Sequence, residues 1–316
     1  MTAEVSGVNT ETAQHTQDDV AVFADGLTKR YGNNDGVDGL DLSIPRGCKF
    51  GLLGPNGAGK STTLKMMMGI IEPDAGHLNV LGNSTPASSP SLRSRIGYVP
   101  ERHHIYQWMT IGEVIRFTRA FYPTWNDAFC DDLLRQYGLT LEKRVGQLSH
   151  GMLTKLALIL ALSHEPELLV LDEPTTGLDP IVREEFLEGI LHPLVEQSAR
   201  TVIFSSHIMS DIETVSDTIA IINEGRLLVC RSKQELLNRT KRIVITLDDT
   251  KESYLKLEGT VMVQREEERR IYTIDDFKLD QIEALRKLDN VRSVDVHDMS
   301  LEEVFKDFVK GARTSK

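Results

Sequence analysis

An apolar run, KFGLL, opens onto Gly54-Pro55-Asn56-Gly57-Ala58-Gly59-Lys60-Ser61, which matches the pattern GxxxxGK[ST] at every fixed position. A buried strand must run straight into a tight glycine turn. A helix must then start at once, and Leu64, Met67, Met68 and Ile71 share one face of a helix predicted over Lys60 to Ile71. The glycines let backbone N–H groups converge on phosphate oxygens. The helix N-terminus adds positive potential. Lys60 can reach the outer phosphates of a nucleotide, and Ser61 offers a hydroxyl to a magnesium ion.

A second motif supplies the acid that such a cradle needs. LLVLDEP reads as a buried strand that delivers Asp172 and Glu173 at its carboxyl end, where open α/β sheets bind their ligands. Asp172 suits the metal, and Glu173 suits orienting and polarising an attacking water. Between the two motifs lies LSHGM. Ser149 and Gly151 there open an amphipathic helix predicted over Met152 to His164, with Leu153, Leu156, Ala157, Leu160 and Ala161 on one stripe. Taken alone, Ser149 is an N-cap; beside the other motifs it is a second anion site.

Around these motifs the chain alternates apolar strands with amphipathic helices, the pattern of an α/β domain with a largely parallel sheet. The alternation is interrupted over about 104–165 by an almost wholly helical stretch, read as an inserted helical subdomain. A helix is expected over Ile181 to Gln197, and a hairpin around Asn223–Gly225. Composition shifts after Thr240. Short strands, one helix and a final SLEEVFKDFVKG helix capped by Ser300 read as a small α+β domain over 241–316. Residues 1–19 are polar and acidic, with no basic n-region and no apolar core, and read as a flexible tail.

Composition narrows the function classes. The 316 residues carry 36 Lys and Arg against 47 Asp and Glu, a net charge of −11, so a general basic surface for nucleic acid is not expected. Three scattered cysteines, Cys48, Cys130 and Cys230, show no zinc-like spacing and fit a reducing compartment. No apolar run is long enough to span a bilayer.

The order of P-loop, LSHGM, LLVLDEPTTGLDP and FSSH resembles that of an ATP-binding cassette (ABC) ATPase, over about residues 20–235. The resemblance implies a P-loop NTPase fold of the ABC type with a helical subdomain, spanning 20–240. It implies ATP and Mg²⁺ as ligands and two cassettes closing head-to-tail on two ATP molecules. The expected nucleotide contacts are Tyr31, stacked on the adenine, then Gly54, Pro55, Asn56, Gly57, Ala58, Gly59, Lys60, Ser61 and Thr62. Ser149 and Gly151 would add contacts across the dimer, and Asp179 would link the two sites. Lys60, Glu173 and His207 are the expected catalytic set; Ser61, Asp172 and Glu101 are the expected metal set. The family usually has Gln where this chain has Glu101, and LSGGQ where it has LSHGM. A glutamate can give the metal oxygen but no amide donor, and His150 adds an imidazole where glycine is usual.

The resemblance further implies the ATPase subunit of a transporter, in an exporter-like branch, working with a separate membrane-spanning subunit at the cytoplasmic face of the membrane. The tail SLEEVFKDF and the aromatic stretch HHIYQWM point the same way. Two alternatives stand beside it. One is a soluble cassette acting on ribosomes or nucleic acid, which a second cassette, a long coiled coil or a basic arm would favour. The other is a nucleotide-binding regulator with little turnover, suggested by Glu101 and His150 but opposed by Glu173. The resemblance implies that the membrane-spanning chain selects the transported substrate.

Overall fold

The computed structural model describes residues 19–32, 34–84, 89–196, 199–248, 257–288 and 290–314. Apart from Asp19, the tail expected over 1–19 lies outside them, as does part of the loop expected after Asn83. In chain order the strands are β1 (Val20–Tyr31), β2 (Asn34–Pro45), β3 (Lys49–Leu53), β4 (Ala75–Val80), β5 (Ile96–Val99), β6 (Leu168–Asp172), β7 (Thr201–Ser206), β8 (Thr218–Asn223), β9 (Arg226–Ser232), β10 (Lys241–Leu247), β11 (Thr260–Arg265), β12 (Arg269–Ile274) and β13 (Val291–Asp298).

These strands form three sheets. The central one has the order β5-β6-β7-β3-β8-β9. Its first five strands are parallel, and β9 closes it as the antiparallel arm of the expected hairpin. Every residue of β6 and β7 is buried, as central parallel strands covered on both faces require. The second sheet, β2-β1-β4, is antiparallel and covers one face. Alternation along the central strands feeds two cores. Leu168 and Val170 join Phe50, Leu52, Leu27 and Leu40 under the antiparallel sheet, with Leu64 and Met67 of the helix Lys60–Met67. Leu169 and Leu171 face the other way, towards Leu156, Ile159, Phe186 and Phe204.

Between β5 and β6 lie the helices Ile111–Arg119, Asp127–Gln136 and His150–Leu162. The last packs on β5 and starts two residues before its expected position, because Ser149 caps it. The helix after the P-loop is shorter than expected, ending at Met67 before Gly69 turns the chain at φ 65°. The expected helix over 181–197 is instead a helix Pro180–Glu184, a π-helical stretch Glu185–Leu191 and a turn His192–Glu196. The wide stretch ends next to Pro193, which has no N–H to donate to the Gly189 carbonyl.

The third sheet, β11-β12-β10-β13, is antiparallel, with its own core of Ile243, Ile245, Tyr272, Ile274, Ile282 and Leu285. The final helix, Leu301–Thr314, does not join that core. Its Leu301, Val304 and Phe308 pack into the large core beneath the central sheet. Its polar side returns to the third sheet: Arg242 of β10 bonds Glu303 and Asp307 at 2.6 and 2.9 Å, and Thr273 of β12 donates to Asp307 at 2.6 Å. Ser300 caps the helix reciprocally with Glu303.

Candidate nucleotide site

The loop after β3 is shaped by its glycines. A Cβ on Gly54 would lie 2.4 Å from the Ile222 carbonyl oxygen. Gly59 sits at φ 103°, where a side chain would be strained, and a Cβ there would strike Gly36 O at 2.4 Å. The helix that follows has no side-chain cap, so its first N–H groups are left for another acceptor. The turn of the β8–β9 hairpin supports the loop from behind, as Gly225 N donates to Ala58 O at 2.9 Å. Lys60 curls back, with Nζ donating to Gly54 O at 2.7 Å and Pro55 O at 3.2 Å. Tyr31, half exposed at the end of β1, has its ring edge 2.8 Å from where a Cβ on Gly36 would stand. Gly36 O in turn abuts Gly59, so the ring flanks the rim of the loop.

The acidic pair meets this loop. Asp172 Oδ1 accepts from Ser61 Oγ at 3.1 Å and from Ser205 Oγ at 2.8 Å. Glu173 has left the strand conformation and sits at φ 49°, an uncommon geometry for a non-glycine residue that clusters at functional sites. Its N–H donates to Ser205 Oγ at 3.0 Å. Its buried carboxylate stands between Lys60 and His207: Lys60 Nζ lies 3.0 Å from Oε1, and His207 Nδ1 lies 2.7 Å from Oε2. A carboxylate only accepts, so Nδ1 of His207 carries the proton.

The two carboxyls are pushed in opposite directions. Burial holds Asp172 above its ordinary value, beyond what its two serine donors offset, with the charges of Glu173 and Glu101 adding to the rise. Burial would raise Glu173 as well, but Lys60 and His207 outweigh it and hold that carboxyl below its ordinary range. Glu101 is exposed just beyond β5 and acts on Asp172 through its field.

The signature residues form a separate group. Ser149 is exposed, and its Oγ accepts from Met152 N at 3.3 Å. Gly151 is buried, and a Cβ on it would lie 2.7 Å from Val182 Cγ1. Asp179 is exposed and caps the helix that carries Val182, accepting from Val182 N at 3.1 Å. The structure thus joins Lys60, Ser61, Asp172, Glu173 and His207 by direct contacts. Among the described residues no hydrogen bond runs from Ser149, Gly151 or Asp179 to that cluster.

Sequence reading passed over several supporting residues. Ser205 holds both Asp172 and the Glu173 backbone, and Thr176 Oγ1 donates to Glu173 Oε2 at 3.3 Å. Buried Asp211 accepts from Thr175 Oγ1 and Arg183 Nε, each at 2.6 Å, and ties the loop after Glu173 to the turn after His207. The signal was present at Ser205 and Ser206: two hydroxyls follow the apolar run Val202–Phe204 at the end of a buried strand, and a buried hydroxyl needs a partner.

Comparison with known proteins gives the family. The model of the ABC transporter family matches residues 37–176. The bacitracin transport ATP-binding protein BcrA of Bacillus licheniformis is 39% identical over 204 residues, 64% of this chain and 66% of that protein. The linearmycin resistance ATP-binding protein LnrL of Bacillus subtilis (strain 168) is 32% identical over 284 residues, 88% of this chain and 83% of that protein. Among solved structures, an ATP-binding subunit of an ABC transporter superposes with a TM-score of 0.60 at 28% identity, covering 68% of this chain and 91% of its own. A bacterial Atm1-family ABC exporter with ATP bound gives 0.60 at 26% identity, covering 70% of this chain and 40% of its own. The chain belongs to the ABC transporter family as an ATP-binding subunit, an ATPase that powers transport.

Proposed function

We propose that this chain hydrolyses Mg-ATP at a site completed by a second cassette, and that the cycle drives export through a separate membrane-spanning subunit. The observation that carries the reading is the buried Glu173, wedged between Lys60 and His207 beside the glycine loop. Lys60 would turn from the loop carbonyls to the β- and γ-phosphates of ATP, leaving Glu173 free to polarise a water and take its proton. His207 keeps the carboxylate aimed while that water attacks. Tyr31 stacks on the base, and Gly54 to Thr62 wrap the phosphates. Ser61 and Asp172 offer hard oxygen donors, and Glu101 lends negative charge beside them, a set that fits Mg²⁺ held jointly with phosphate oxygens. When bound, the ion neutralises charge on those oxygens.

Ser149, Gly151 and Asp179 supply the face that a second cassette uses, whether a copy of this chain or a different one. Export follows from relatives named for bacitracin transport, linearmycin resistance and Nod factor export. Relatives named as ATP-binding proteins of transport and export systems support a separate spanning subunit and a peripheral place on the cytoplasmic face, and the described residues contain no helix long and apolar enough to cross a membrane. Exposed Tyr106 and Trp108, continued by Phe117 and Phe121 in a ladder of ring contacts, give that subunit an apolar footing on the helical stretch 104–165. We assign 20–240 to the cassette and 241–316 to an accessory domain. A tagged Glu173→Gln form, recovered with Mg-ATP from gently solubilised membranes, is expected to bring a multi-span membrane protein with it. Recovery with ribosomes or DNA and no membrane protein would overturn the transport reading.

A further inference from the structure

The hydrogen bonds around the signature turn form a continuous path to the hydrolytic carboxylate. His150 Nε2 lies 2.8 Å from the Thr176 carbonyl oxygen. A carbonyl only accepts, so Nε2 carries the proton. Thr176 passes the contact inward: its Oγ1 donates to Glu173 Oε2 at 3.3 Å, and its N–H donates to Glu173 O at 3.1 Å. Next to it, Gly177 at φ 78° keeps the backbone open, where a Cβ would stand 3.5 Å from the imidazole.

The path also runs outward. Thr154 Oγ1 donates to His150 O at 3.2 Å, and His103 Nε2 lies 3.1 Å from Thr154 Oγ1. Thr154 has one proton and gives it to the carbonyl, so His103 must donate to Thr154. Burial, together with the fields of His150 and His104, pushes the His103 pKa down to about 4, which keeps that ring neutral near pH 7. His103 follows Glu101 by two residues, and its ring stands 5.8 Å from that of His150. Capping does not explain His150, because Ser149 already caps the helix.

We propose that His150 is a positioning residue for Glu173: its Nε2–H clamps the Thr176 carbonyl and so ties the signature turn, and through Thr154 and His103 the segment after Glu101, to the hydrolytic carboxylate of the same chain. His150 rides on the helical subdomain, whereas Thr176 rides on the turn that follows β6. A tilt of that subdomain therefore stretches this bond and loosens Glu173. The inference rests on the ATPase reading of Glu173.

The test is a steady-state ATPase measurement on the purified full chain, with kcat and KM for ATP taken separately. His150→Phe keeps a ring and loses the donor. It is expected to lower kcat about three- to tenfold, the range that loss of one hydrogen bond allows, with KM changed less than about twofold. His150→Gln keeps an N–H at similar reach and is expected to recover kcat to within about twofold of the parent. In a Thr176→Val background, where the Oγ1 link to the carboxylate is lost and only the N–H bond to Glu173 O remains, His150→Phe is expected to cost less than about twofold. His150→Ala gives the same reading should the Phe variant fail to fold. Full-speed His150→Phe, equal losses in Phe and Gln variants, or an undiminished loss in the Thr176→Val background would each overturn the proposal, the last because the carboxylate would then not be held through Thr176 Oγ1. A parent chain no faster than Glu173→Gln would instead overturn the ATPase reading beneath it.

Discussion

The P-loop end and the signature end of this cassette solve opposite problems. At the first, one chain satisfies itself: Lys60, Ser61, Asp172, Glu173 and His207 are joined by direct contacts, and the Lys60 and Glu173 side chains are 5% and 6% exposed. At the second, Ser149 and Asp179 stand exposed, and their side-chain oxygens do no more than cap helices. A buried charge without a partner is costly, so the first cluster must be complete before any ligand arrives. An exposed cap has no such need, so the second surface can wait for a partner. Charge placement therefore separates the part of the chemistry that belongs to one chain from the part that needs two.

The largest test of this contrast is Glu173→Gln. It keeps the shape and removes the base, and kcat, read by phosphate release, is expected to fall on the order of 10²- to 10⁴-fold with ATP still bound. Unchanged turnover would end the assignment of Glu173. Lys60→Ala comes next, with ATP affinity expected to fall about a hundredfold in equilibrium binding. The same change strips Glu173 of its main cation. The Glu173 carboxyl is held below its ordinary value, so the stability from that pairing is present above the ordinary carboxylate pKa and is lost as pH falls through the depressed one. Denaturation of the Lys60→Ala form should therefore show its deficit at neutral pH and a shrinking one in acid. Ser149→Ala should do less. Loss of the cap costs about 1 kcal/mol of helix stability. Turnover should drop several-fold at protein concentrations where cassettes pair, and hardly at all in ATP binding by the dilute chain.

The legible parts of the sequence were those where one local rule decides. The glycine loop, the fully buried β6 and β7, the hairpin at Gly225 and the cap at Ser300 follow from local pattern alone. The π-helical stretch before Pro193 was not legible, because a helical periodicity does not report a one-residue widening. The final helix was legible and its packing partner was not. Its apolar stripe announces burial but not the partner, and Leu301, Val304 and Phe308 pack into the large core beneath the central sheet, with Val261 of β11 against the same cluster. In the site, motif residues were legible and their supports were not. Ser205 and Asp211 matter through contacts spanning 33 and 36 residues, which no short pattern records, and Thr176, three residues from Glu173, through a turn geometry that spacing does not report.

Glu101→Gln should have the smallest effect, and it separates two roles for one carboxylate. Glu101 raises the Asp172 pKa at a distance, after burial and after Glu173, while Ser61 and Ser205 hold Asp172 directly. If its role is this field, Gln removes one negative charge and lets the Asp172 pKa move down towards its ordinary value. A raised carboxyl gives the fold extra stability only as pH drops into the carboxylate range, so the variant should gain less on mild acidification than the parent. Turnover should shift about two- to fivefold, and the Mg²⁺ concentration for half-maximal rate by less than about threefold. If Glu101 instead ligates the ion, an amide oxygen is a weaker donor than a carboxylate, and the Mg²⁺ requirement should rise at least about tenfold. A magnesium titration of parent and variant, run at one fixed ATP concentration and ionic strength, decides between a residue that tunes the P-loop half from outside and one that belongs to it.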